Sequence, residues 1–205
     1  MKKTIVALGA VLLVCVSAMV ACNGATSSSE KNEGMNNATG TKMVDEAGRI
    51  ARGRYLVTIM GCNDCHSPKK MTPQGPVPDS TRLLSGHPAG MPIGAIDAKA
   101  SKDWLLFHPN LTAFAGPWGV SYAANLTSSE TGIGNWTEEQ FFRALREGKY
   151  KGLANSRSLL PPMPWQNFRN ATDDDLSAIF AYLKSTPPVD NVVPAWAPPA
   201  GAPQQ

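Results

Sequence analysis

The chain has 205 residues, 42% hydrophobic and 17% charged, with a formal net charge of +3. That length holds one compact domain with extensions, and the balance excludes a wholly disordered or collagen-like polypeptide. A charge of +3 with no basic stripe argues against nucleic acid as a partner.

Lys2 and Lys3 precede an uncharged run from Thr4 to Ser29 whose apolar heart is Ile5 to Val20. A positive start followed by an apolar stretch reads as an export signal. The alternative is an uncleaved helix, since Thr4 to Cys22 is just long enough to span a bilayer. Ala18-Met19-Val20-Ala21-Cys22 resembles the lipobox of bacterial lipoproteins, in which a small residue precedes an acylated cysteine. The expectation is a lipoprotein-type signal over residues 1–21 and lipid on Cys22. The chain is then anchored in a bacterial cell envelope, with its domain in the periplasm or another extracytoplasmic space. Cys15 leaves with the signal, and loss of Lys2 and Lys3 lowers the net charge to +1.

Residues 22–44 form a tether in this reading. Asn23 to Thr41 is rich in Ser, Thr, Asn and Gly, with Met35 its only large apolar side chain. Such a segment buries too little surface to offset its ordering entropy. Residues 45–187 make the domain. The Pro-rich tail follows over 188–205, within a stretch from Pro187 to Gln205 that holds six prolines in nineteen residues.

Three helices are predicted in that domain. The first covers about Asp45 to Gly61, where Ile50, Gly53, Val57 and Met60 recur at helical spacing beside Leu56. Gly53 on this stripe costs helix propensity, which points to close approach of another helix. The second starts at Trp136-Thr137, with Thr137 and Gln140 as a capping box. Its buried face is Phe141, Phe142 and Leu145, and Gly148 stops it. The third runs from Thr172 to about Ser185. Thr172 caps it, Asp173 to Asp175 suit the positive end of its dipole, and Leu176, Ile179, Phe180 and Leu183 form one face. Between the first two, Ser67 to Val120 contains eight prolines and six glycines and shows little period, with a short helix around Ala98 to Phe107 as an option. A long irregular stretch inside a domain is usually organised around something else.

The first helix ends at Cys62-Asn63-Asp64-Cys65-His66, a C-x-x-C-H. Two thiols at this spacing can add to the two vinyl groups of a haem, and the adjacent histidine then falls under the iron. A redox dithiol, a structural disulfide and half a zinc site are the rival readings. No βαβ pattern supports the first, and only His87 and His108 remain as further histidine ligands for zinc.

The chain resembles class I-type monohaem cytochromes c. It is especially similar to the cytochrome domains that accept electrons from membrane-associated alcohol and sugar dehydrogenases. The residues that carry this are G-R-Y-L-V-x-x-x-G-C-x-x-C-H from Gly53 to His66, N-L-T and T-G-I-G-x-W-T between Asn125 and Thr137, R-A-L-R-E-G from Arg143 to Gly148, and L-L-P-P-M-P-W from Leu159 to Trp165. The resemblance implies an all-α cytochrome c fold, with first and last helices crossing over a covalently bound haem and a long irregular insertion. It also implies one haem c on Cys62 and Cys65, with His66 and a methionine before the last helix as axial ligands. Met163 stands there among Pro161, Pro162 and Pro164, which fix φ and hold a loop at little entropic cost. Met91, Met71, His87 and His108 are the competing ligands.

Trp136, Trp165, Phe141 and Phe168 are candidate walls for the haem. By resemblance alone, Asn125, Thr127 and Trp165 are candidate propionate donors. Lys69 and Lys70 are candidates for the border of an exposed haem edge, or for a solvated surface pair. With both axial positions filled by protein, the expected function is one-electron transfer and not enzymatic catalysis. The expected partners are a dehydrogenase and an oxidase or another cytochrome. A haem subunit fixed in a dehydrogenase complex is one alternative, and a haem sensor or peroxidase with a displaceable distal ligand is another. Replacing Cys22 with Ala is expected to abolish labelling by radioactive fatty acid; persistent label on the variant contradicts the lipoprotein reading.

Overall fold

The computed structural model describes residues 38–199. The predicted signal, Cys22 and the first part of the tether lie outside the described residues. Helix α1 (Ala38–Ile59) begins before Asp45 and leads through a turn at Gly61 into α2 (Cys62–His66). A hairpin follows, β1 (Lys69–Thr72) with β2 (Gly75–Pro78). Next come α3 (Ala100–Asp103), β3 (Leu106–Phe107), β4 (Ala113–Gly116) and β5 (Gly119–Tyr122). The C-terminal half holds α4 (Glu138–Arg146), a 3-10 turn at Tyr150–Gly152, α5 (Trp165–Phe168) and α6 (Asp173–Ser185).

The all-α expectation is wrong. Beside the helices, the described residues contain two small antiparallel sheets, β1-β2 and β3-β4-β5, both within or bordering the Pro- and Gly-rich middle. These strands are two to four residues long, shorter than any window in which a period of two can be counted. Ala113–Gly116 is also buried at every position, so alternation is lacking where it would have marked a half-buried strand. Pro76 and Pro78 fit in β2 because each strand of a two-stranded ribbon is an edge. The predicted helix around Ala98 to Phe107 is reduced to the single turn of α3, and Leu106 and Phe107 pair with β4.

Helices α1 and α6 form the largest helix–helix contact among the described elements. Leu56 and Val57 from α1 meet Leu176, Ile179 and Leu183 from α6 in one core, which Phe141 and Leu145 of α4 and the buried Ile133 complete. The ends of these helices follow their sequence signals. Thr137 Oγ1 accepts from Gln140 N at 3.2 Å, and Gln140 Oε1 accepts from Thr137 N at 3.0 Å, a full capping box. Thr172 Oγ1 accepts from Asp175 N at 3.1 Å. Arg146 links α4 to the start of α6 by donating to the carbonyls of Arg169 and Ala171 and pairing with Asp173.

Gly53 is the point of closest approach. A Cβ there would lie 1.9 Å from the Ala178 carbonyl oxygen and 2.7 Å from Tyr182 Cβ, distances that no side chain tolerates. The absence of a side chain therefore sets how closely α1 and α6 pack. Arg52 closes the crossing on the outside, with Nη2 2.9 Å from Asp175 Oδ1. That pair is exposed and adds little.

The Pro-rich stretch is tied to the domain as far as residue 199. The side chain of buried Asn191 donates to the carbonyls of Ser85 (2.7 Å) and His87 (2.9 Å), and accepts from Ala89 N at 3.0 Å. Farther along, Ala197 bridges Val120 on β5, and Trp196 Nε1 donates to the Trp118 carbonyl at 2.7 Å.

Substituting Gly53 with Ala is expected to overpack the crossing and to cost about 1–3 kcal/mol of stability. Gly48, exposed on the same helix with open space around it, serves as the control. Thermal denaturation should show a lowered midpoint for Gly53→Ala and none of that loss for Gly48→Ala; equal midpoints contradict the account of the crossing.

Candidate functional site

The turn at Gly61 redirects the chain so that Cys62, Cys65 and His66 sit on one short helix at the end of α1. Both cysteines are part-buried free thiols and are not bridged to each other. Burial pushes the Cys62 thiol up to about 11, with the neighbouring Asp64 charge adding to the rise. Cys65 is raised by burial and then by Asp64. A redox dithiol needs a depressed pKa to supply thiolate, so these protonated thiols argue against that reading. Among the described residues no group of three or more His, Cys, Asp or Glu side chains converges as a metal site, which leaves zinc without a ligand set.

His66 is oriented by one hydrogen bond, from Nδ1 to the Ala124 carbonyl oxygen at 2.7 Å. A carbonyl can only accept, so the proton is on Nδ1 and the lone pair on Nε2. Burial lowers the His66 pKa and keeps the ring neutral, although the bond to Ala124 pulls the other way. A neutral imidazole with a free Nε2 and a fixed Nδ1–H is the form that ligates a metal.

The segment Leu84 to His87 positions that carbonyl. Gly86 N donates to the His66 carbonyl at 2.7 Å, and His87 N donates to the Ala123 carbonyl at 2.9 Å. Gly86 adopts φ +75°, and a Cβ on it would come within 2.5 Å of the Ala123 oxygen. On either side, Leu84 N donates to Ser67 Oγ at 2.8 Å, and Leu126 N to the Leu84 carbonyl at 2.8 Å. The segment thus stitches the end of α2 to the chain around Ala124.

Met163 is part-buried and packs against the same apolar core as Cys62. Its loop is held at several points. Leu159 N donates to the Gly148 carbonyl at 2.6 Å, and Ser121 Oγ donates to the Pro161 carbonyl at 2.7 Å. The Trp165 ring also lies against Gly148. The competing side chains are engaged elsewhere. Met71 is 70% exposed on β1, and Met91 Sδ accepts from Asn110 Nδ2 at 2.8 Å. His87 is fully buried, with Nδ1 2.8 Å from Thr112 Oγ1 and its ring against Tyr122. His108 Nδ1 accepts from Asn110 N at 3.2 Å.

Among the candidate walls, Trp136 and Phe168 are part-buried against the core, while Phe141 lies inside it against Phe180. Asn125 and Thr127 have structural work instead of free donors. Asn125 Nδ2 donates to the Val189 carbonyl at 2.8 Å, and its Oδ1 accepts from Thr127 N at 3.0 Å and Thr127 Oγ1 at 2.8 Å. Lys70 pairs with Asp79 across the hairpin, whereas Lys69 turns back onto α2.

The residues present fit a c-type haem: two unbridged part-buried thiols, an adjacent neutral imidazole with one nitrogen free, and an apolar core reached by a thioether. Sequence reasoning missed Ala124, because a backbone carbonyl has no residue signature, and also missed Gly86 and Ser67. The G-H-P after two leucines and a serine was the one visible hint of a special turn.

No family model matches the chain. It is 31% identical over 143 residues to the fructose dehydrogenase cytochrome subunit of Gluconobacter japonicus, 69% of this chain and 22% of that protein. It is also 31% identical over 140 residues to the cytochrome c subunit of the quinone alcohol dehydrogenase of Gluconobacter oxydans, 68% of this chain and 21% of that protein. A shorter match, 44% identical over 80 residues, is to a nicotinate dehydrogenase subunit of Pseudomonas putida, 38% of this chain and 6% of that protein. The chain therefore spans about a fifth of the length of the cytochrome subunits it matches, and less of the third protein. Two of these relatives are named as cytochrome subunits of dehydrogenases.

Replacing Asn125 with Ala is expected to cost about 1–3 kcal/mol, since it leaves buried partners unsatisfied. Limited proteolysis should then cut sooner near Val189, and thermal denaturation should show the loss. Unchanged stability contradicts the structural role given to this side chain.

Proposed function

We propose that this chain carries one covalently attached c-type haem and passes single electrons between a membrane-associated dehydrogenase and an oxidase or another cytochrome. Cys62 and Cys65 would hold the haem through thioether bonds, and His66 Nε2 and Met163 Sδ would be the atoms offered to its iron. The observation that carries this reading is the bond from His66 Nδ1 to Ala124, which leaves Nε2 free beside two unbridged thiols. When bound, the haem supplies reversible one-electron chemistry between Fe(III) and Fe(II).

The protein's own residues do the rest. The carbonyl of Ala124 fixes the tautomer and plane of His66. The braced loop around Met163 presents a soft thioether, which favours the reduced iron over a second imidazole. Apolar side chains from α1, α4 and α6 form the dry core against which Cys62 and Met163 pack. Ligands held on braced segments need not move between oxidation states, which keeps reorganisation small.

A second reading, a haem subunit fixed in a dehydrogenase complex, is favoured by the relatives themselves, which are named as subunits. Both readings use the same haem and differ in whether the partner dissociates. No helix among the described residues is long and apolar enough to cross a membrane. In this proposal attachment to the bacterial envelope rests on lipid at Cys22, with the haem domain outside the cytoplasm.

Met163→Ala tests the ligand set. The oxidised wild-type holoprotein is expected to show a weak sulfur-to-iron charge-transfer band and no carbon monoxide adduct when reduced. The variant should lose the band and bind carbon monoxide. An unchanged spectrum moves the ligand to another residue and overturns the assignment to Met163. A wild-type protein that binds carbon monoxide readily supports the sensor or peroxidase reading instead.

A further inference from the structure

Helix α2 is five residues long, so its last carbonyls have no partners within the helix. Gly86 N takes the His66 carbonyl and Ser67 N that of Asn63, and Lys69 adds to these. Its Nζ donates to the carbonyls of Asp64 (2.9 Å), Asn63 (3.2 Å) and Ser67, so three acceptors meet the three protons of one ammonium. A cation is also the favourable charge at a helix C-terminus. The side chain is anchored at its base, because Lys69 N donates to the side-chain oxygen of buried Asn110. Lys70, the next residue, differs: its exposed ammonium pairs with Asp79 at 2.9 Å. The two lysines that look alike in sequence therefore carry charge in different settings, one fixed on the C-x-x-C-H backbone and one on a projecting hairpin.

We propose that Lys69 is a positioning residue whose fixed ammonium both caps the Cys62–His66 segment and biases a haem bound there toward its reduced state. The inference rests on the haem reading above. A positive charge held in a part-buried place acts through a lower dielectric than one in solvent, and it stabilises the state with the extra electron. Asp64, on α2 itself, opposes Lys69, and its carboxylate is exposed. The Lys70–Asp79 pair on the hairpin is internally balanced. Among the described residues Lys69 is thus the cation bonded directly to the haem-binding segment, and three carbonyl acceptors favour the three-proton ammonium.

The test uses the full-length holoprotein and its Lys69→Met, Lys69→Arg and Lys70→Met variants. Each is held by mediators at the solution potential where the wild type is half reduced, and the oxidation state is read optically. Lys69→Met is expected to lower the ratio of reduced to oxidised haem about three- to tenfold. Lys69→Arg, which keeps the charge, and Lys70→Met, whose charge is screened by water and Asp79, should stay within about twofold. If Lys69→Met fails to accumulate as holoprotein, Lys69→Gln keeps amide donors without the charge and takes its place with the same expected fall. An unchanged ratio in the neutral variant, with haem bound and the sulfur band intact, reduces Lys69 to a structural cap and overturns the proposal. An equal fall in Lys70→Met overturns it too, because any lysine near the motif would then suffice. Absence of covalent haem from the wild type is a separate outcome, and it refutes the haem reading before any variant is compared.

Discussion

The 2.7 Å bond from His66 Nδ1 to the Ala124 carbonyl is the constraint on which the site depends. It decides which imidazole nitrogen keeps its lone pair, and it ties a short helix near the N-terminal end of the domain to a loop almost sixty residues later. Ser67, Leu84, Gly86 and His87 exist in this arrangement to keep those two segments in register. Without them Ala124 would be an ordinary loop residue and His66 a side chain free to rotate. Gly86 belongs to the same constraint, since a Cβ would strike the chain that carries the carbonyl.

Around this bond the helices form a frame. The α1–α6 crossing at Gly53 brings the start of the domain against its end, and α4 closes the core from a third side. Asn191 then ties the C-terminal stretch to Ser85, His87 and Ala89, the same segment that supports His66. The last residues described reach β5, whose Ser121 holds the Met163 loop through the Pro161 carbonyl. Both sides of the proposed iron site are therefore braced from one connected set of hydrogen bonds. This is how a chain with no disulfide among its described cysteines can order a long Pro- and Gly-rich segment.

The helical frame was legible in the sequence because its signals are local and periodic. The capping box at Thr137 and Gln140, the cap at Thr172 and the role of Gly53 all follow from residue types at fixed spacing. The sheets were not legible, since strands of two to four residues offer no period and β4 is buried throughout. The part of the site made by side chains could be named from its motif. The part made by backbone could not, because Ala124 contributes only a carbonyl that every residue has. Lys69 and Lys70 show the same limit, as adjacent identical residues separated in role only by which way the chain turns. Asn125 and Thr127 looked like donors to a cofactor and are instead spent on each other and on Val189.

Acid–acetone extraction of the purified holoprotein tests the proposed covalent attachment of haem to Cys62 and Cys65. Haem is expected to remain with the wild-type polypeptide, and replacing both cysteines with Ser to release it into the organic phase. Haem extracted from the wild type, or retained by the double variant, would contradict it.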